Sequence, residues 1–420
     1  MDNENINDTI NKLPEVGLAK GLDQGLDQDL SVELEKNSSF ETEIETIESW
    51  EDLNIKPEIL RGIFSCAYEK PSPIQQKAIK PILDGRDILG QAQSGTGKTA
   101  TFTIGILNKL DLTVNSTQAI IIAPTHELVN QISEVVKKLG SMMKGLVVKT
   151  LYGGTSVSED ARDLHANVPH VIVGCSGRIF DMIKRKHISM ECIQMFALDE
   201  ADEMLSHGFK DQIYNIFQYL NETVQVILFS ATMPKDVLEL SKKFMRNPVY
   251  ITMKAETLNL ECIRQFYIAL PNDSLKYNTI KDLFSKISVG QCIVYVNSIK
   301  RVVDLFQAMV EEGFSVCNMH SSMTKEERDT AFKQFVSGEC RVLISSDITS
   351  RGIDIQQVST VINFDIPKDV HTYLHRIGRG GRWGRKGTAI NFVTRQDMPL
   401  LKSIEAYYNS SITEFQTDSV

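Results

Sequence analysis

The 420-residue chain predicts an α/β protein made of two tandem parallel sheets, each with helices on both faces. Three observations carry that expectation. From Trp50 onward, short β-rich apolar runs alternate with segments of helical period. The alternation lapses into a polar stretch near residue 255 and then resumes in the same style. Between the first strand and its helix stands a glycine-rich turn, Gly95-Thr96-Gly97. The length gives room for two or three domains with ample core.

Taken in order, residues 1–46 hold the near-repeat Gly21-Leu22-Asp23-Gln24-Gly25-Leu26-Asp27-Gln28 and a single aromatic, Phe40. Residues 1–48 carry thirteen Asp/Glu against three Lys, a balance of −10 within a net charge of −9. Residues 1–46 are therefore predicted to be a disordered acidic tail ahead of a nearly neutral body. A polyanion must then be held by a local cluster rather than by bulk charge. Residues 47–253 form the first predicted domain. In it, 87–91 reads as a buried strand, and Ala100, Phe102, Ile104, Ile106, Leu107 and Leu110 support a helix after the turn. Residues 119–123 read as the next buried strand, and Leu128, Ile132, Val135 and Leu139 share one face of the helix that follows. Further strands are predicted at 171–173, 195–198 and 226–229. The pattern lapses around 250–262, with a linker at 254–261. The second domain, 262–420, has predicted strands at 292–296, 316–319, 342–345, 360–364 and 389–393, and helices at 299–311 and 325–335. Sheets of this kind bind ligands at the carboxyl ends of their strands.

Composition excludes several classes. No run approaches eighteen apolar residues, so a membrane span is not expected. The polar, acidic start lacks the pattern of a secretory signal. Seven scattered cysteines without a Cys-x-x-Cys pair argue for reduced thiols, not a disulfide frame or zinc site.

Ala92-Gln93-Ser94-Gly95-Thr96-Gly97-Lys98-Thr99, between strand and helix, is the context of a phosphate-binding loop. The turn lets backbone N–H groups surround a polyphosphate at the positive end of the new helix. Lys98 would reach the β- and γ-phosphates, and Thr99 would hold Mg²⁺. Ala92 replaces the glycine that usually opens such a loop. Asp199-Glu200-Ala201-Asp202 follows an apolar strand, where a nucleotide hydrolase needs its carboxylates. Asp199 is expected to serve the metal and Glu200 to orient the attacking water.

Asp-Glu-Ala-Asp resembles the naming motif of the DEAD-box RNA helicases, and nearly all of residues 49–415 follows that family's order. The resemblance implies two RecA-like domains, ATP and Mg²⁺ as cofactors, and an RNA-stimulated ATPase that unwinds short duplexes. In Pro71-Ser72-Pro73-Ile74-Gln75-Gln76 it implies that Gln75 reads the adenine edge, with Tyr68 stacked on the ring. Ser94, Gly95, Thr96 and Gly97 would complete the nucleotide cradle. Ser230-Ala231-Thr232 resembles the motif that couples hydrolysis to strand separation, through Ser230 and Thr232. Ser345-Ser346-Asp347 and Arg351-Gly352-Ile353-Asp354 resemble ribose- and RNA-contacting motifs, with Asp354 facing the ribose. His375-Arg376-Ile377-Gly378-Arg379-Gly380-Gly381-Arg382 resembles the arginine-finger motif, so Arg379 and Arg382 would reach the γ-phosphate from the opposite domain. RNA contacts are implied at Thr125, Gly153, Gly154, Arg178 and Ser346, mainly to phosphates and 2′-hydroxyls and so largely independent of sequence.

Stretches such as Gly208-Phe209-Lys210-Asp211-Gln212-Ile213-Tyr214 and Ile263-Arg264-Gln265-Phe266-Tyr267 resemble the eukaryotic translation initiation factor 4A group. That branch implies a monomer in the cytoplasm, mRNA as substrate and a scaffold of the initiation factor 4G type. The group's exon-junction paralogue, a nuclear ATP-dependent RNA clamp, shares many of the same stretches and stays open as the alternative. A P-loop ATPase acting on protein or DNA is the rival from outside the family. Three departures stand out. His126 replaces the arginine of Pro-Thr-Arg-Glu-Leu, Cys175-Ser176-Gly177-Arg178 replaces Thr-Pro-Gly-Arg, and His320-Ser321-Ser322-Met323 replaces His-Gly-Asp-Met. They predict near-normal ATP binding with weaker coupling to RNA.

Overall fold

In the computed structural model, residues 45–415 are described except 94, 207, 254–262, 287–289, 348–357 and 380–386. The predicted tail up to residue 44 and the linker at 254–261 lie outside the described residues, as do Ser94, Asp354 and Arg382. The described residues from Thr46 onward belong to one compact unit containing two seven-stranded sheets.

The first sheet comprises β1 (Ile88–Gln91), β2 (Ala119–Ile122), β3 (Val148–Leu151), β4 (Val171–Gly174), β5 (Met195–Leu198), β6 (Gln225–Ser230) and β7 (Val249–Thr252). Its order is β3-β4-β2-β5-β6-β1-β7, with every neighbouring pair parallel. The second comprises β8 (Ile263–Leu270), β9 (Gln291–Tyr295), β10 (Val316–Met319), β11 (Val342–Ser345), β12 (Val358–Asn363), β13 (Gly387–Thr394) and β14 (Thr413–Glu414). Its order, β10-β11-β9-β12-β13-β8-β14, is also parallel throughout and is the first order advanced by one set of strands. Each sheet is thus the same winding applied to a different half of the chain.

Burial on both faces explains the continuous apolar runs. In β9, Cys292 and Val294 pack into one core while Ile293 and Tyr295 pack into the other. Residue β1 Gly90 sits opposite Phe229 of β6, and a Cβ there would run into the Phe229 ring. Buried Asp87 fastens the start of β1. It accepts from Val226 N at 2.9 Å and from Arg246 N at 2.6 Å.

The structure differs from the sequence reading mainly at half-exposed strands. β7 alternates buried and exposed residues and lies where the pattern was read as lapsing. β3, Val-Lys-Thr-Leu, is mostly half-buried and shows little apolar signal. β8 mixes buried, half-buried and exposed residues, and begins at the edge of the predicted linker.

Candidate active site

Strand order sorts the first lobe's chemistry into two adjacent groups. The loops leaving β5, β6 and β1 carry Asp199–Asp202, Ser230–Thr232 and the phosphate loop. Those leaving β3, β4 and β2 carry Gly153–Gly154, Arg178 and Thr125.

In the phosphate loop, Gly95 and Gly97 have φ of 83° and 101°, the left-handed region that a Cβ disfavours. Gly97 caps the helix Lys98–Lys109. The loop is braced from the helix Pro73–Leu83: Ser72 Oγ donates to Thr96 O at 2.7 Å, and Gln75 Nε2 donates to Gly97 O at 3.4 Å. Gln75 Oε1 accepts from Ser72 N at 2.7 Å. Tyr68, half-buried beside this segment, is anchored through its carbonyl, which accepts from the indole of buried Trp50 at 2.9 Å.

Lys98 and Glu200 are buried together, with Nζ 3.3 Å from Oε1. Burial pushes the Lys98 ammonium down, but Glu200, Asp199 and Asp202 outweigh it and hold the group above its ordinary value. Burial likewise pushes Glu200 up, yet Lys98, then His375 and Arg379, bring it below the usual carboxylate range. Asp199 is lifted to about 6 by burial, against the pull of Lys98. Its Oδ2 accepts from Thr99 Oγ1 at 3.3 Å, and its Oδ1 accepts from Glu200 N at 3.0 Å. Glu200 has φ of 54°, a left-handed conformation that costs an ordinary residue energy and is typical of functional turns.

Asp202 joins this centre to the coupling segment. Its N–H donates to Ser230 Oγ at 3.1 Å, and its Oδ2 accepts from Thr232 N at 3.2 Å and Thr232 Oγ1 at 2.7 Å. The same oxygen lies 3.4 Å from His375 Nε2, on the helix Val370–Ile377 of the second lobe. Glu200, Asp202 and His375 converge within 4.8 Å. Arg379 follows one turn later, buried, its Nε donating to His375 O at 3.2 Å. The predicted residues Lys98, Thr99, Asp199, Glu200, Ser230, Thr232 and Arg379 therefore gather in one buried centre.

The predicted RNA residues sit apart from it. Thr125 caps the helix His126–Leu139, its Oγ1 accepting from Leu128 N at 3.2 Å. Gly153 and Gly154 are exposed after β3, Gly154 with φ of 84° and open space around it. Arg178 is turned inward, ion-paired with Asp160 and donating to Thr155 Oγ1 at 3.0 Å and Thr155 O at 2.7 Å. Ser346 follows β11, and its carbonyl accepts from Ser345 Oγ at 2.8 Å.

Sequence reasoning missed three residues. His375 was visible in its motif but carried no assigned role. Arg376 is fully buried in the second lobe, over the Tyr295 ring, and donates to Asp347, Asn297 and Asp365 O at 2.6–2.7 Å. Arg328 crosses between lobes to Glu127 at 2.9 Å, a pairing over about two hundred residues that no local pattern signals.

Known proteins bear on these features. The DEAD/DEAH box helicase pattern matches residues 72–240, and the helicase conserved C-terminal domain matches residues 275–384. The ATP-dependent RNA helicase eIF4A of Schizosaccharomyces pombe is 50% identical over 370 residues, covering 88% of this chain and 94% of its own. Dbp5 of S. cerevisiae bound to RNA and ADP BeF3 superposes with a TM-score of 0.82 at 34% identity, over 89% of this chain and 96% of that one. A single-substitution variant of Dbp5 from the same yeast, bound to Nup159, a variant of Gle1, IP6 and ADP, gives a TM-score of 0.62 at 33% identity over 87% of this chain and 96% of that one. Buried lysine and carboxylates near the strand ends, a partner histidine from a helix of the second lobe and these matches agree: the chain is a DEAD-box ATP-dependent RNA helicase of the eIF4A branch.

Proposed function

We propose that this helicase acts in cytoplasmic translation initiation, opening the 5′ region of mRNA as a monomer driven by ATP and Mg²⁺ and recruited by a scaffold of the initiation factor 4G type. The identity to the S. pombe eIF4A over most of both chains supports that role. On this reading the two domains are 47–253 and 262–420, joined by the linker 254–261 and preceded by an acidic tail at 1–46.

Thr99 Oγ1 and Asp199 Oδ2, 3.3 Å apart at a helix start, offer the hard oxygen donors that Mg²⁺ prefers. Mg²⁺ held by these two side chains would neutralise charge on the polyphosphate. Lys98 and the loop amides bind the polyphosphate, Gln75 and Tyr68 hold the base, and Asp354 faces the ribose. Glu200 orients and polarises the attacking water. Arg379 and Arg382 stabilise the charge that develops on the transferred phosphoryl group, an effect worth about 10³–10⁵ in rate for fingers of this kind. Thr125, Gly153, Gly154, Arg178 and Ser346 line the RNA track, and Ser230 and Thr232 transmit closure to it through Asp202.

The observation carrying this reading is the Asp202–His375 contact at 3.4 Å, which puts both lobes on one side chain that also bonds Thr232. RNA that holds the lobes together would thereby complete the hydrolytic centre. Steady-state ATP hydrolysis with and without single-stranded RNA tests the cycle, and rescue of an eIF4A-depleted translation extract tests the role. Strong RNA stimulation with rescue is expected. ATP-dependent RNA retention without turnover would point instead to an exon-junction-type clamp, and equal stimulation by matching DNA would contradict RNA specificity.

A further inference from the structure

Two histidines that the mechanism does not use meet at the far edge of the first lobe. The helix Val157–Ala166 runs between β3 and β4, and the helix Ser176–Lys184 between β4 and β5. Each sets out from the strand ends that carry the chemistry and finishes where the next strand begins. His165, near the end of the first helix, and His187, just past the end of the second, therefore lie at the edge remote from the phosphate loop. Lys186 takes a φ of 60°, and His187 N donates back to Met182 O at 2.9 Å, the turn that closes the second helix. Across the gap, Nε2 of His165 lies 3.1 Å from Nδ1 of His187, with ring centroids 5.3 Å apart and planes 77° apart. Such a contact needs one nitrogen to donate and the other to accept, so at least one imidazole is neutral there. His165 is exposed and His187 half-buried, which leaves the pair open to solvent.

We propose that His165 and His187 form a two-point site for a divalent transition ion of the kind that prefers imidazole, such as nickel, copper or zinc. Neighbouring ligands about 2.0–2.1 Å from such an ion, set between a right angle and a tetrahedral one, stand about 2.8–3.4 Å apart. The 3.1 Å between the two nitrogens falls inside that span, so the bite is already formed. Turning the rings about their Cβ–Cγ bonds aims both lone pairs at one point on the solvent side.

The chemistry balances without an acid or base. The donating ring passes its proton through solvent to its own other nitrogen, two bonds from nitrogen to metal form, and the ion gives up two waters. It keeps the rest of its water shell. Among the described residues, the one group of three or more possible protein ligands is Glu200, Asp202 and His375. The carboxylates nearest in sequence are engaged elsewhere, Asp163 with Lys149 and Asp181 with Arg185, each at 2.7 Å. Magnesium, which favours oxygen and sheds water reluctantly, gains nothing from such a pair. A bound transition ion would tie the two helices at this end, as the ion pair of Arg178 with Asp160 ties them at the other.

The test is a titration of the full chain with nickel chloride at pH 7.5, followed by NMR through the histidine Cε1–H resonances. In the native protein the signals of His165 and His187 should broaden together, at one nickel concentration. His165→Gln and His187→Gln each leave a single imidazole. The midpoint for the remaining ring should then rise by at least about tenfold, because no second ligand waits at high effective concentration. Magnesium chloride over the same range should leave both signals unchanged. Separate midpoints for the two rings in the native protein, or an unmoved midpoint in either variant, would overturn the proposal. Neither residue belongs to the hydrolytic centre, so RNA-stimulated ATP hydrolysis without nickel should match the native rate and report that the variants are folded. Should a variant lose that activity, the native titration decides alone: one shared midpoint with no response to magnesium upholds the site, and anything else contradicts it.

Discussion

Lys98, Glu200 and Asp199 share a buried space in which each group's charge is set by the others. Removing one carboxylate charge should therefore disturb its neighbours as well as the hold on the attacking water. Glu200→Gln keeps the shape and leaves Lys98 to Asp199 and the nucleotide. ATP turnover should fall by about 10²-fold or more, while ATP-dependent RNA retention persists in a filter-binding assay. Undiminished turnover would remove Glu200 from its assigned role. Arg376 shows a different use of a buried charge. It joins Asp347, Asn297 and the Asp365 carbonyl and is 0% exposed. Truncation removes these hydrogen bonds and the contact with the Tyr295 ring, and Arg376→Ala should cost about 2–5 kcal/mol in urea unfolding of the second lobe. Arg376→Lys should recover only part of that, because an ammonium cannot reproduce the planar fork.

Between elements, stability depends on small residues where strands approach and on charges where helices begin. Gly90 leaves room for the Phe229 ring across the β1–β6 pair. Gly90→Ala should destabilise the first lobe by about 1–3 kcal/mol and loosen nucleotide binding, since the phosphate loop leaves the same strand. Calorimetry with and without nucleotide reads both effects. In the second lobe, hydrogen bonding to Arg301 comes first, with Lys276 adding to it, in holding Asp273 down to about 2. A carboxylate depressed in this way contributes stability that is present above its ordinary value of about 3.9 and disappears as pH drops toward 2. Asp273 is half exposed, so the effect is under about 1 kcal/mol. The stability gap between the native protein and Asp273→Asn should accordingly close across that window in acid unfolding followed by circular dichroism.

Across the whole molecule, the strand order of one sheet repeats in the other, and much of this was legible in the sequence. Fully buried strands such as β2, β4, β5 and β6 have unbroken apolar runs because both faces are covered. The half-exposed strands β3, β7 and β8 are harder to read because partial exposure admits polar residues and weakens the apolar signal. Within the site, Lys98, Asp199 and Glu200 were legible because local spacing carries their chemistry. Arg328 and Glu127 were not, since their meeting is a property of how two lobes dock and leaves no period in either segment. The Asp202–His375 link lies between these cases, its residues visible in motifs and their contact visible only in the fold. All of this depends on lobes that meet when RNA and nucleotide are both present. Fluorescence energy transfer between dyes on the two lobes measures that most directly. The account predicts a marked rise on adding single-stranded RNA together with an ATP analogue and little change with either alone; a level of transfer indifferent to RNA would contradict it.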